Sequence, residues 1–381
     1  MIYLDNAATA IYTPIDDIVV NTMTNAMKEH WQNPSSLYAT DVKLVINTCR
    51  EQVAKFIGAK PDEIIFTSGA SESNNMAIRG WFDKLYITPT IIPNIITTEI
   101  EHKSILDMCK YYRPLEHYVE YCKVDEFGLV DLNHLEKLLQ NNGQTLVSIH
   151  FANNEIGTIQ DIKKISELVH KYNGVLHVDA TQALPYIPIN VEELGVDMMS
   201  ASGHKISPVL KGIGFLYKKN CINIQPLIYG SQEGNLRGGT ENTFGIIGLS
   251  KALEFCDVST QKIQELCDKR DYFINLLKSK FNCKLNGHSK HRLPNNINVT
   301  FPQNITGESL LYMLDMSFIK ISTGSACNSK EIKPSYILKA IGLNNEQAMK
   351  TIRITLSEEA AYSDIDKVIE EIDKAIRIIE I

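Results

Sequence analysis

The chain has 381 residues, of which 44% are apolar and 22% are charged, and its net charge at pH 7 is −7. This length exceeds the size at which a single hydrophobic core usually stops growing, so we expect two packed units. The acidic balance gives no electrostatic basis for direct contact with nucleic acid or an anionic membrane.

The amino-terminal segment, MIYLDNAATA, lacks a basic leader and an apolar signal core. No apolar run approaches the ~18 residues of a membrane span. The cysteines are scattered without a C-x-x-C pair or a regular spacing, at positions 49, 109, 122, 221, 256, 267, 283 and 327. This usage is typical of a reducing cytosol, so we expect a cytoplasmic protein without membrane contacts.

Short apolar segments alternate with amphipathic segments along the first two thirds of the chain. The segments that predict strands are EIIFTSG (63–69), NIITT (94–98), TLVSIHF (145–151), VLHVDA (175–180) and GIGFLY (212–217). Between the third and fourth lies a predicted helix whose apolar residues share one face: Ile162, Ile165, Leu168 and Val169. This alternation predicts an α/β fold with a mainly parallel sheet covered by helices.

The pattern changes after about residue 255. Long helical segments at 260–280 and 364–381 bracket short strands in NNINVTF and KTIRITL, which is typical of a smaller α+β unit. We therefore predict a large domain over 15–255 and a small domain formed by 1–14 and 256–381.

The segment FTSGASESNN passes from a strand through a turn of small residues into a helix. The backbone amides around Gly69, Ala70 and Ser71, with the Ser71 hydroxyl, would point at an anion such as a phosphate. An ordinary capped helix start explains the same residues.

Further polar residues follow predicted strands, where ligands gather in a doubly wound sheet. Asp179 and Gln182 are candidates to bind a protonated ring nitrogen and a ring oxygen, although an Asp at a strand end is often a turn former. His102 follows the strand NIITT and is a candidate for ring stacking, or it simply opens a helix.

Lys205 lies in SASGHKIS between the apolar segments VDMM and KGIGFLY. A desolvated amine has a lowered pKa and is nucleophilic, as a Schiff base with an aldehyde requires. Ser202 and His204 flank it and are candidates to hold a phosphate. A phosphate cradle, a strand-end Asp, a histidine and a lysine together are the groups that pyridoxal 5′-phosphate needs, whereas the lysine alone would indicate an exposed loop.

Two candidates lie near the end of the chain. Cys327, in ISTGSACNS, has small polar neighbours that give no apolar cover, which favours an accessible thiolate nucleophile in a loop. Arg353 lies inside the apolar strand TIRITL, where a buried guanidinium needs a substrate carboxylate or a structural ion pair. His288 and His291 are the best metal candidates, but no third ligand has suitable spacing, so we predict no metal.

These motifs resemble those of the cysteine desulfurases, pyridoxal-phosphate enzymes of the class V aminotransferase group with fold type I. The segments that carry the resemblance span nearly the whole chain: YLDNAAT, TSGASESNN, EHKSIL, NNEIGTIQDI, HVDATQ, SGHK, LRGGTEN and STGSACNS. The lysine motif together with the late cysteine motif is highly specific, since most other members of the group lack that cysteine.

The resemblance implies roles for the matching positions. Lys205 would hold the cofactor as a Schiff base, His102 would stack on its ring and Asp179 would pair with the ring nitrogen. Gln182 would hydrogen-bond the phenolic oxygen. The groups that would bind the phosphate are Ser71, Ser202, His204 and Thr240 of the partner subunit in a homodimer. Asn153 and Arg353 would hold the substrate carboxylate, and Cys327 would accept the sulfur.

The resemblance implies that the chain converts L-cysteine to L-alanine and leaves a persulfide on Cys327 for a protein acceptor. That acceptor would serve iron–sulfur assembly or the thiolation of tRNA or DNA. One alternative is a selenocysteine lyase, or another lyase or aminotransferase of the same fold. An aminotransferase would keep its activity in a Cys327→Ala variant, whereas a cysteine desulfurase would lose it. The other is a non-catalytic scaffold for sulfur trafficking, which would keep its partners in a Lys205→Ala variant.

Overall fold

A computed structural model describes residues 1–86, 93–112, 119–140, 143–323 and 333–379. The predicted loop around Cys327 lies outside these residues. No helix of the described ranges is long and apolar enough to cross a membrane.

The secondary structure alternates strands and helices in the first part of the chain. The strands are β1 (Ile2–Tyr3), β2 (Ile64–Thr67), β3 (Asn94–Thr98), β4 (Val119–Cys122), β5 (Thr145–His150), β6 (Val175–Asp179), β7 (Met198–Ser202), β8 (Gly214–Lys218), β9 (Lys284–Leu285), β10 (Asn296–Thr300), β11 (Ile319–Lys320) and β12 (Thr351–Thr355). The helices are α1 (Pro14–Glu29), α2 (Thr40–Phe56), α3 (Ala70–Tyr86), α4 (Lys103–Tyr112), α5 (Leu132–Gln140), α6 (Ile162–Lys171), α7 (Val191–Leu194), α8 (Thr243–Phe255), α9 (Thr260–Phe281), α10 (Gly307–Met316), α11 (Tyr336–Ala340), α12 (Asn345–Met349) and α13 (Tyr362–Ile379).

Within the described ranges, the largest sheet has seven strands in the order β2-β8-β7-β6-β5-β3-β4. β8 is antiparallel to its neighbours β2 and β7, and the other pairs are parallel. Every residue of β3, β5 and β7 is buried, as expected for strands covered on both faces. The predicted fold class, a mainly parallel sheet covered by helices, is confirmed.

Helices cover both faces of this sheet. On one face α3 and α4 contribute buried side chains such as Met76, Trp81 and Ile105. On the other face the apolar cluster draws on α1, α2, α6 and α8, where Ile162 and Val169 are buried as the periodicity of their segment predicts. The sheet is therefore a rigid central layer, and its strand ends have fixed positions.

A second apolar cluster contains Leu4 and residues between Leu266 and Ile376. It includes buried side chains of the three-stranded antiparallel sheet β12-β10-β9 and of the long helices α9 and α13. The short strand β1 pairs in parallel with β11, which joins the amino-terminal segment to this part of the chain. The domain boundaries at about residues 15 and 255 stay a prediction.

Three adjacent parallel strands end in polar residues. β5 ends at His150, β6 at Asp179 and β7 at Ser202, and His150 and Asp179 are register partners. Because the carboxyl ends of parallel strands meet at one edge of a sheet, these residues lie together where ligands bind in α/β folds.

Candidate active site

A cavity of about 540 Å³ opens at the carboxyl ends of β5, β6 and β7. It brings together most of the side chains that the sequence singled out. Its wall includes Ala70, Ser71, His102, Asp179, Gln182, Ser202, His204, Lys205 and Arg353 from that set, together with Glu72, His150, Asn154, Thr181 and Lys211.

Lys205 is positioned by a 3-10 turn, Gly203–Lys205, that directly follows β7. A side chain at position 203 would meet the Leu210 backbone oxygen at 3.0 Å, so glycine allows the turn to pack closely. The Lys205 Nζ donates to the backbone oxygens of Ala7 at 2.6 Å and Ala8 at 2.7 Å. The amine is thus held by the amino-terminal segment at the cavity wall.

The environment of Lys205 disfavours its charged form. Burial lowers the pKa of this amine to about 8, and the nearby Arg353 guanidinium acts in the same direction. The carboxylates of Asp5 and Asp179 oppose the shift. An amine with such a pKa is uncharged often enough near neutral pH to act as a nucleophile or a base.

Asp179 is buried and its carboxylate is oriented by three donors. Oδ2 accepts from Asn74 Nδ2 at 2.8 Å, and Oδ1 accepts from the backbone N–H and the hydroxyl of Thr181. Gln182 is also buried, and its Nε2 donates to the Ala7 oxygen at 2.9 Å, which Lys205 shares. The carboxylate is therefore a fixed acceptor for a cationic N–H group in the cavity.

The opposite part of the wall suits an anion. Gly69, with φ of +147°, turns the chain from β2 into α3, and the amino end of this 17-residue helix faces the cavity at Ala70 and Ser71. The space beside Gly69 is closed by the Ser202 hydroxyl, which would lie 3.4 Å from an added Cβ. Helix amino ends and hydroxyl groups of this kind bind phosphate.

His204 and Lys211 complete this anion-binding side. Burial, with the charges of Lys205 and Lys211, lowers the pKa of His204 to about 4. The imidazole is therefore neutral at physiological pH and can serve as a hydrogen-bond donor, whereas Lys211 supplies a positive charge.

His102 is exposed and lies at the start of α4, where its backbone oxygen accepts from the N–H of Ile105. Its Nδ1 accepts from the backbone N–H of Ser104 at 3.2 Å and lies 2.8 Å from the Ser104 hydroxyl. Since a backbone N–H only donates, the proton of the neutral ring is on Nε2. The residue thus both opens a helix and lines the cavity.

Arg353 projects from β12 into the same cavity. Its guanidinium donates to Asp5 Oδ1 at 2.6 Å and to the Asn154 backbone oxygen at 3.0 Å. The structural ion pair is therefore present, and the residue also borders the cavity, although its Nε is buried without a hydrogen-bond partner among the described residues.

Two predicted residues do not line this cavity. Asn153 is buried and its amide is used locally: Nδ2 donates to the Ile100 oxygen, and Oδ1 accepts from the backbone N–H groups of Glu155 and Ile156. Its neighbour Asn154 forms the wall instead. Thr240 is exposed on the surface of the chain. Cys327 lies outside the described residues, so its position stays a prediction.

Sequence reasoning missed Glu72, Asn154, Thr181, Lys211 and His150. Asn154 and Thr181 are direct neighbours of candidates, and the choice between adjacent residues depends on side-chain direction. His150 ends a predicted strand just as Asp179 does, so the same argument would have found it.

The described residues contain no group of three or more His, Cys, Asp or Glu side chains able to hold a metal ion.

Comparison with known proteins gives consistent matches along the chain. The family model described as aminotransferase class-V matches residues 2–368. A cysteine desulfurase IscS from Dictyoglomus turgidum (strain DSM 6724 / Z-1310) is 42% identical over 380 residues, which is 98% of this chain and 94% of that protein.

Solved structures agree with this match. A NifS-like protein superposes with a TM-score of 0.89 at 34% identity and covers 99% of both chains. A structure described as SspA in complex with cysteine has a TM-score of 0.81 at 33% identity and covers 95% of this chain and 100% of the other.

Proposed function

This chain belongs to the aminotransferase class-V family, and we propose that it is an L-cysteine desulfurase that uses pyridoxal 5′-phosphate. The observation that carries the proposal is the amine of Lys205, whose pKa is lowered to about 8. It lines the same cavity as the oriented carboxylate of Asp179 and the guanidinium of Arg353. The similarity to a cysteine desulfurase over 98% of the chain supports the same activity.

The cavity residues fit this cofactor. The carboxylate of Asp179 would hold the ring nitrogen, and His102 would stack on the ring. The phosphate would lie at the amino end of α3, against Ser71, Ser202 and His204. When bound, pyridoxal 5′-phosphate supplies an aldehyde that bonds to amines and a ring that withdraws electrons from Cα of an attached amino acid.

Lys205 has two tasks that its environment supports. As an uncharged amine it would hold the cofactor through its aldehyde, and the same Nζ, when free, would be the base for the proton on the substrate Cα. The neighbouring Arg353, which also borders the cavity, binds the substrate carboxylate. The amide of Asn154, rather than that of Asn153, is placed to assist, because it lines the cavity.

The sulfur acceptor is Cys327, on the basis of the motif STGSACNS. Its thiolate attacks the substrate sulfur, an S–S bond forms and the Cβ–S bond breaks. The electron pair of the broken bond stays with the substrate carbon, which is protonated to give L-alanine, and His102 at the cavity wall is a proton donor for this step. One L-cysteine and one thiol thus yield one L-alanine and one persulfide, which passes to a protein acceptor.

The active unit is a homodimer. Four exposed apolar side chains lie close in sequence to Ser35 or Gln232, whose side chains are 3.4 Å apart: Trp31, Leu37, Tyr38 and Tyr229. Exposed apolar side chains of this kind are typical of an interface, and the resemblance to the family implies that Thr240 of the partner subunit joins the phosphate site. Sedimentation of the purified chain tests this, and a monomer would contradict it.

The activity is tested by incubating the pure protein, loaded with pyridoxal 5′-phosphate, with L-cysteine. Alanine is quantified and the protein is analysed by intact and peptide mass spectrometry. We expect alanine together with one added sulfur atom on Cys327, and neither in the Cys327→Ala variant. The matched control is Cys221→Ala, because Cys221 is an exposed free thiol outside the cavity. Absence of alanine would refute the activity, and undiminished alanine from Cys327→Ala would refute the role of this thiol.

A further inference from the structure

The turn between β3 and α4, residues 99–102, carries His102 to the cavity wall. His102 is exposed, so little packing holds its ring, and its position depends on the backbone that carries it. The two residues before it, Ile100 and Glu101, are fully buried. Their carbonyls are therefore removed from water and need partners, and neither accepts from a backbone N–H in the part of the chain that the structure describes.

Two side chains from distant parts of the chain supply these partners. Asn153 Nδ2 donates to the Ile100 oxygen at 3.0 Å, and the hydroxyl of Tyr336 donates to the Glu101 oxygen at 2.7 Å. The Glu101 carbonyl and the His102 N–H belong to one peptide group, which is planar. The Tyr336 hydroxyl therefore fixes the orientation of the peptide that leads directly into His102.

The surroundings of Tyr336 make it a fixed anchor. It is the first residue of α11, and the side chain of Ser335 caps this helix by accepting from the Leu338 N–H at 3.3 Å. Although 36% of Tyr336 is exposed, burial raises the pKa of its phenol, so the hydroxyl end is the covered part. The next two residues, Ile337 and Leu338, are buried in a small apolar cluster that includes Ile100 of the turn. The helix thus has both an apolar and a polar contact with the turn.

We propose that Tyr336 is a positioning residue for His102: its hydroxyl holds the Glu101–His102 peptide and thereby the imidazole at the cavity wall. The inference rests on the proposed function, in which His102 stacks on the ring of pyridoxal 5′-phosphate and donates a proton. Without the hydroxyl, the buried Glu101 carbonyl lacks a partner, and the peptide is expected to rotate toward another donor. Such a movement matters because a small displacement of a reacting group slows a reaction strongly.

The test uses Tyr336→Phe, which removes one oxygen atom and keeps the ring. The kcat for alanine formation from L-cysteine and the visible absorption maximum of bound pyridoxal 5′-phosphate are measured. We expect kcat to fall about tenfold, the effect of about one hydrogen bond, and the maximum to shift in the same direction as in His102→Ala. The KM for L-cysteine should change little, because Arg353 lies outside this turn.

A double-mutant cycle distinguishes an effect through His102 from an independent one. If Tyr336 acts through His102, adding Tyr336→Phe to His102→Ala should lower kcat no further, because the group that the hydroxyl positions is already absent. Independent effects would multiply, and the double variant would then be about tenfold slower than His102→Ala.

The matched control is Tyr112→Phe, at the other end of α4. Tyr112 is buried, its hydroxyl donates to Asp83 Oδ1 at 2.8 Å, and it lies outside the cavity wall. This variant also loses one hydroxyl hydrogen bond. It should therefore lower the unfolding temperature and leave kcat and the absorption maximum unchanged.

Three results would overturn the inference: wild-type kcat and spectrum in Tyr336→Phe, a multiplied loss in the double variant, or an equal loss of kcat in Tyr112→Phe. Failure of the proposed function is a separate result. A wild-type protein that binds the cofactor but forms no alanine from L-cysteine would refute the desulfurase activity. The absorption maxima of Tyr336→Phe, His102→Ala and the double variant would still test the inference.

Discussion

The titration of Lys205 can be measured directly on the cofactor-free protein. At a pH near 7.5, an amine with a pKa of about 8 is about one quarter uncharged, whereas an ordinary lysine near 10.5 is uncharged in about one molecule per thousand. Only the uncharged amine attacks an aldehyde. We therefore expect Lys205 to react about two hundred times faster than its ordinary pKa would allow.

The assay is brief reductive methylation with formaldehyde over a range of pH, followed by peptide mass spectrometry. Formaldehyde is small enough to enter a cavity of about 540 Å³. Lys164 is the internal reference, because it is exposed and its hydrogen bond to Asp161 raises the pKa of its amine. Labelling of Lys205 should reach half its maximum near pH 8, well below the midpoint for Lys164.

Arg353→Met provides a second arm of this experiment. The guanidinium of Arg353 lowers the pKa of Lys205, and its removal leaves the Asp5 carboxylate, which raises it. The midpoint of labelling should therefore move to higher pH in this variant. A wild-type midpoint above pH 10, like that of exposed lysines, would refute the argument that burial activates this amine.

Two further predictions concern stability. Burial raises the pKa of Glu155 from 4.5 to about 7, so the folded chain loses stability as the pH rises through this range. Near pH 8 the Glu155→Gln variant should therefore be more stable to urea than wild type by about 3 kcal/mol, whereas near pH 5 the two proteins should unfold at closely similar urea concentrations. An equal gain at both pH values would contradict the assignment. Arg50 pairs at 2.8 Å with Glu233, whose side chain is 2% exposed. Arg50→Met should therefore lower the free energy of unfolding in urea by about 3–5 kcal/mol, whereas Arg79→Ala, in the exposed pair with Asp83, should lower it by about 0.5 kcal/mol. Similar losses of stability in the two variants would refute the burial argument.

Most of the central sheet could be predicted from the sequence, because a strand buried on both faces is a continuous apolar run. NIITT corresponds to β3 without any change of bounds, and TLVSIHF and VLHVDA each extend one residue beyond β5 and β6. β4 was missed because most of its residues are half-buried at the sheet edge, where the apolar signal is weak. The apolar segment VDMM overlaps the start of β7, but the rest of this strand was not predicted, because its small and polar residues are buried by packing that the local sequence does not reveal.

The candidate site was predictable where chemistry follows a strand end. Asp179 and Ser202 are terminal residues of parallel strands, and the topology alone brings them together. The pairing of Arg353 with Asp5 joins residues 348 positions apart, and the choice of Asn154 over Asn153 depends on side-chain direction. Neither can be derived from spacing along one chain, because both depend on tertiary packing.

The amino-terminal segment closes the site without contributing reactive groups. The Ala7 oxygen accepts from both Lys205 and Gln182, and Asp5 neutralises Arg353. A protease that clipped this segment would release the reactive amine from its anchor and strip the guanidinium of its counter-ion. It would also remove Leu4 from the second apolar cluster and β1 from its pair with β11, so truncation should lower activity and stability together.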